Sequence, residues 1–207
     1  MLRIAIDIND VIRDYTRQFS KYYNKIINPH FEIDYDDIND FDLFNVFPFN
    51  DENGYPDRGL YNKFKFEDCA YELFGRADVM ERNLSADLNM WLQNTLRNFD
   101  EDKNPEILLV SPFEMHLSIQ STLSFLSRIG TRVREIYFPM DSRTIWDRCD
   151  ILITANPNLI ENMPEGKTSI KINTPYNKEA KATYEFESLM DVIHDKDRTI
   201  INLIENS

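Results

Sequence analysis

The sequence predicts an α/β fold: a Rossmann-like, doubly wound parallel sheet of about five strands, with a mainly helical segment inserted after the first strand. Three observations carry this. Residues 2–8, Leu-Arg-Ile-Ala-Ile-Asp-Ile, form a short isoleucine-rich run ending on a polar turn, as a strand buried on both faces does. Beyond residue 104, strand-like and helix-like stretches alternate, the pattern of parallel strands joined by crossover helices. Between these regions, residues 28–104 carry helical spacing and no strand alternation. A chain of 207 residues with 42% hydrophobic content has room for one core, or a core with a smaller insert.

After the first strand, residues 11–27 read as a helix closed by Asn28-Pro29. Residues 32–57 then change character, with nine acidic residues, no Lys or Arg, and the aromatics Tyr35, Phe41, Phe44, Phe47, Phe49 and Tyr55. Such a segment is either the core of a loop-rich insert with its carboxylates turned to water, or a docking surface for a basic protein partner. Helical spacing returns over residues 61–74. It does so again over 84–99, where Ser85 or Asp87 can cap the start and Leu88, Trp91, Leu92 and Leu96 share a face. The core is thus assigned to residues 1–27 and 105–207, and the inserted unit to 28–104.

Within the second part of the core, residues 106–111 read as a strand and 116–129 as a helix ended by Gly130. Strands at 132–138, 150–154 and 168–172 follow, with short helices at 142–148 and 157–162. Residues 186–204 read as helical with a break near 194–197. Thr174-Pro175-Tyr176-Asn177 reads as a turn that could also form a lip of the crevice.

A net charge of −13, from 36 acidic and 23 basic residues, repels polyanions and anionic lipid surfaces, which excludes binding to a nucleic acid backbone. Cys69 and Cys149 fit no metal-ligand spacing and no disulfide framework, so both are read as reduced thiols of a cytoplasmic protein. No apolar run is long enough for a signal peptide or a membrane span. The three histidines, His30, His116 and His194, belong to no nucleophile or metal constellation.

In a sheet of this kind the ligand crevice lies beyond the carboxyl ends of the strands. The polar residues delivered there are Asp7, Asn9 and Asp10 after the first strand, Ser111 after the second, and Thr154 and Asn156 after the fourth, with Arg143 just before the fourth. An aspartate fixed at a strand end can attack phosphorus when a cation screens it from the incoming phosphate. The stretches Ile-Ala-Ile-Asp-Ile-Asn-Asp-Val at 4–11, Ile-Leu-Leu-Val-Ser at 107–111 and Asp-Ile-Leu-Ile-Thr-Ala-Asn-Pro-Asn-Leu-Ile at 150–160 resemble, in order and spacing, the haloacid dehalogenase superfamily of phosphatases. The resemblance is to the branch of small 5′-nucleotidases and deoxyribonucleotidases, whose cap domain falls where residues 12–104 are inserted here. It implies Asp7 as nucleophile and magnesium ligand, and position 9 as general acid/base with its carbonyl facing the metal. It also implies Ser111 and a basic residue, for which Arg143 is the nearest candidate, as phosphate ligands.

Two departures accompany these matches. Position 9 is Asn, which exchanges no proton near neutral pH, where general acid/base help is typically worth ~10²–10⁴ in rate. Thr154-Ala155 stands where the related nucleotidases carry an acidic pair, which weakens any site for Mg2+. Asp10 replaces the missing acid only if the loop shifts. The sequence therefore points first to a non-catalytic or weakly active phosphatase-fold protein that binds a small phosphorylated ligand or nucleotide, or serves a structural or protein-interaction role through 32–57. The alternative is an active Mg2+-dependent 5′-nucleotidase-like phosphatase. A receiver-like domain with a coincidental Asp7 ranks last, because of the long insertion after the first strand.

Overall fold

Strand β1 (Arg3–Asp7) sits at the centre of the sheet: Ile4, Ala5 and Ile6 are fully buried, and β2 (Glu106–Val110) and β4 (Ile151–Thr154) pair with it on either side. The structure is a computed structural model that describes residues 2–94 and 104–206. Six parallel strands run in the order β3-β2-β1-β4-β5-β6, with β3 at Glu135–Tyr137, β5 at Thr168–Ile172 and β6 at Tyr184–Phe186. Side chains alternate across this sheet. Ile4 and Ile6 join the larger apolar cluster, while Ala5 joins a smaller one with Leu108, Val110, Ile145, Trp146, Leu152 and Leu159. Both faces are thereby covered, which is why the strands read as nearly continuous hydrophobic runs.

Helix α1 (Tyr15–Ile26) starts four residues later than the spacing at 11–27 predicts. The cause is local. Asp10 has φ 55, and the N–H groups of Ile12 and Arg13 both donate to Ile8 O at 3.0 and 2.8 Å, so residues 8–13 close a turn before any helix forms. Asp10 then caps α1 from outside, its Oδ1 accepting the N–H of Thr16 at 2.9 Å.

No described residue of the insertion joins the sheet. Helix α2 (Arg58–Lys63) runs into two π turns, Phe64–Asp68 and Tyr71–Gly75, and α3 (Leu84–Asn94) follows; the remainder of the expected 84–99 helix lies outside the described residues. Residues 32–57 are loop-rich, with a single 3-10 turn at Tyr35–Asp37. Phe47 and Phe49 are buried, and Phe19 of α1 meets Phe47, Phe64 and Tyr61 with ring centroids 5.1, 5.4 and 5.7 Å apart. The aromatic residues of the acidic segment thus mostly build core; Tyr55, which is exposed, is the exception.

In the second half, α4 (Leu117–Ile129) ends at Gly130 with φ 65, as its sequence predicts. The segment expected to be helical at 142–148 is a 3-10 turn, Ser142–Ile145, followed after β4 by α5 (Pro157–Glu161). Strand β6 is the element missing from the expected five: three residues with no alternating pattern, ordered by pairing to β5. The helical stretch expected at 186–204 begins only at α6 (Leu189–Ile193), capped by Ser188, and resumes after a break as α7 (Thr199–Glu205). Among the described residues no helix is long and apolar enough to cross a membrane.

Candidate functional site

The strand order reverses direction between β1 and β4, and a crevice opens there beyond the strands' carboxyl ends. It has a volume of about 390 Å3. Asp7, Asn9, Asp10, Pro112, Phe113, Asn156 and Asn158 line it from the core, and Arg58, Tyr61, Lys65 and Phe66 from the insertion.

Asp7 is almost fully buried at the end of β1. Its Oδ2 accepts a 2.8 Å hydrogen bond from Thr154 Oγ1, whereas Oδ1 accepts none. Burial pushes the carboxyl up to about 7; the Thr154 bond and the nearby amides of Asn9 and Ile8 only partly offset this, and the neighbouring Asp10 adds to it. Asp10 is equally buried but well served. Thr16 Oγ1 donates to its Oδ2 at 2.6 Å and Tyr176 OH at 2.8 Å, so Asp10 holds the start of α1 and the 174–177 turn together. Burial raises its pKa, and those bonds pull it back.

Asn9 is locked. Its Oδ1 accepts from Arg13 Nε at 3.0 Å and Nη2 at 2.5 Å, and its Nδ2 donates to Ser111 Oγ at 3.3 Å. Arg13 is wholly buried between the rings of Phe74 and Phe125, and it also donates to Phe74 O, Thr122 Oγ1 and Glu114 Oε1. Ser111 Oγ in turn donates to Glu114 Oε1 at 2.5 Å. The sequence marks Ser111 as a phosphate ligand, but the structure commits its hydroxyl to this buried network, and Ser111 does not line the crevice.

Arg143 does not reach the site either. Its side chain is 80% exposed and pairs with Asp141 at 2.7 Å, two residues away, because the 3-10 turn carries it outward. Of the crevice-rim residues, Asp10 and Asn156 line the pocket, whereas Thr154 stands behind Asp7. Asn156 Oδ1 caps α5 by accepting the N–H of Asn158 at 3.0 Å.

Three charged residues of the site went unread in the sequence. Arg13 looked like an ordinary helix position, although it follows Asn9 at the spacing of one helical turn. Glu114 completes a Ser-x-x-Glu pattern with Ser111, which usually signals a helix cap and here signals a buried acceptor. Lys65, between Phe64 and Phe66 in the first π turn, enters the crevice from the insertion, and burial lowers its pKa to about 8.

The side chains at the crevice leave little to hold a resident magnesium ion. Asp7 Oδ1 is free to meet a cation, but it stands alone. Both oxygens of Asp10 accept bonds from Thr16 or Tyr176, Asn9 Oδ1 is held by Arg13, Asn156 Oδ1 caps a helix, and Asp42 pairs with Arg58 at 2.7 Å. Among the described residues no group of three or more His, Cys, Asp or Glu is placed to hold a metal. Magnesium keeps several waters and is usually held by one or two carboxylates together with substrate phosphate, and this crevice offers it a single uncommitted carboxylate oxygen, the least such a site provides.

No family model matches this sequence, and no curated protein matches it. Solved structures do match in three dimensions. A protein of Burkholderia xenovorans described as a haloacid dehalogenase-like hydrolase superposes with a TM-score of 0.57 at 8% identity, over 97% of this chain and 99% of that one. The Bacillus subtilis protein YfnB, described as a HAD-hydrolase and solved bound to magnesium, gives 0.54 at 12% identity, over 97% and 98%. A dehalogenase with an intermediate complex gives 0.51 at 10%, over 92% and 95%. The likeness extends over nearly the whole length of these three structures, and it is a likeness of architecture: the chain has the fold of the haloacid dehalogenase-like hydrolases.

Proposed function

We propose that this chain binds a small phosphate monoester in the crevice above β1, and does not hydrolyse it by magnesium-dependent aspartyl-phosphate chemistry. The sequence resemblance to nucleotidases makes nucleoside 5′-monophosphates the first ligands to test. The observation that carries the reading is the lock on Asn9. The position that would exchange protons with the leaving group holds an amide, and Arg13 and Ser111 occupy both ends of that amide. Asp7, the residue that would act as nucleophile, is buried and accepts a single hydrogen bond, from Thr154. The crevice is of a size suited to a small molecule, and its aromatic and cationic lining suits a nucleotide better than a polymer.

The test is phosphate release from deoxynucleoside monophosphates and phenyl phosphate in the presence of magnesium, with the native chain, Asp7→Asn and Asn9→Asp. None of the three is expected to release phosphate. Release by the native chain that vanishes in Asp7→Asn overturns the reading and makes Asp7 a working nucleophile.

A further inference from the structure

Two cations line the crevice, and they differ in what they already hold. The Arg58 guanidinium forms a bidentate pair with Asp42, at 2.9 and 2.7 Å, and lies 4.1 Å from the centre of the Phe44 ring. Lys65 has no such partner. Among the described residues it makes no hydrogen bond and no ion pair; its ammonium is surrounded by ring faces, 4.8 Å from the centre of Phe66, 5.6 Å from Tyr15 and 5.7 Å from Tyr61. Ring faces attract a cation but replace only part of its hydration, so an ammonium held this way gains strongly from an arriving anion. Burial lowers the pKa of Lys65 to about 8, and the carboxylates of Glu114 and Asp42 offset only part of that.

The core supplies no substitute. Arg143 points to solvent and is paired, Arg13 is fully buried and fully bonded, and Lys171 is buried against Ala180 O and Glu185. We infer that Lys65, delivered by the π turn of the insertion, is the anion anchor of this pocket and takes the phosphate group of the ligand in the place of a core cation. This rests on the proposed phosphate-monoester reading and adds to it the residue that confers recognition. It also assigns the first π turn a task. The wider turn at Phe64–Asp68, with Cys69 N–H donating to Phe64 O at 2.9 Å, carries Lys65 and Phe66 together into the crevice wall.

The experiment is calorimetric titration of phenyl phosphate into the native chain, Lys65→Met, Lys65→Gln and Arg143→Gln. Loss of a charge-assisted bond to phosphate weakens binding by roughly ten- to a hundredfold, so both Lys65 variants are expected to lose at least tenfold while Arg143→Gln binds as the native chain does. Native-like binding by both Lys65 variants overturns the anchor and leaves the phosphate-monoester reading standing. If the native chain binds no phosphate monoester, that reading fails, and the anchor is decided by a second measurement. The rate at which acetic anhydride modifies Lys65, followed by mass spectrometry, is compared with and without inorganic phosphate or acetate. Slowing of that reaction at Lys65, but not at exposed lysines, supports the anchor; no slowing overturns it.

Discussion

Replacing Asp7 by Asn should stabilise this protein, and by more at high pH than at low. The carboxyl is 2% exposed, and burial lifts it from 3.8 to about 7, so the folded state holds a proton that the unfolded state has already released over most of that range. Stability therefore falls as pH rises from about 4 to about 7 and stays low above it, because ν(U) is smaller than ν(N) throughout that window. At about 1.36 kcal/mol per tenfold change in proton affinity, the full penalty is on the order of 4 kcal/mol. Asn has the same shape and cannot ionise. Its amide nitrogen would lie where Oδ1 finds no partner, a loss of about 1–2 kcal/mol that offsets part of the gain. The dependable quantity is the change with pH, in which that loss cancels. Between pH 5.5 and 8.5, both above the isoelectric point of 4.6, the advantage of Asp7→Asn should widen by about 2 kcal/mol. Urea unfolding of the two proteins at the two pH values measures it directly. A gap that stays constant or narrows with pH refutes the argument, because it means the folded protein holds Asp7 ionised with a partner this account does not include.

Three further outcomes follow from the same network. Asn9→Asp should not restore phosphate release, since the introduced carboxylate falls within 3.0 Å of Arg13 and becomes an ion-pair partner instead of a proton donor; release in that variant contradicts the lock. Arg13→Met should cost about 3–5 kcal/mol by leaving the Glu114 carboxylate buried and unpaired, and adding Glu114→Gln should recover part of the loss, a coupling measurable by a double-mutant cycle in urea. Tyr176→Phe should cost about 1–3 kcal/mol by removing one donor to Asp10, with unfolding curves at neutral pH as the readout.

The buried strands were legible because sequence and burial carry the same information there, whereas β3, half-buried throughout, spans only Glu135–Tyr137 of the expected 132–138. Residues 168–172 form β5 as predicted, and β4 differs from its predicted span by one residue, since runs buried on both faces leave no ambiguity of period. Strand β6 was not legible: three residues at a sheet edge, ordered by their neighbour and not by their own pattern. The site divides along the same line. Asp7, Asn9, Asp10 and Asn156 meet in one crevice because each follows a strand end, which the sequence displays. Arg143 is the nearest basic residue in sequence, yet the cation behind Asn9, Arg13, and the cation lining the crevice, Lys65, arrive from the turn before α1 and from the insertion, where only tertiary packing decides which side chain is buried. The aromatic residues at 32–57 were readable as either core or docking surface, and Phe47 and Phe49 are core.

Magnesium dependence decides whether an ion belongs at Asp7. Phenyl phosphate is titrated into the native chain in the presence of magnesium and again with the ion chelated. Asp7 Oδ1 is the single uncommitted carboxylate oxygen among the described residues lining the crevice, so the same dissociation constant is expected in both titrations. Binding that appears only with magnesium, or tightens about tenfold with it, corresponding to about 1.4 kcal/mol, contradicts the account by placing the ion at Asp7.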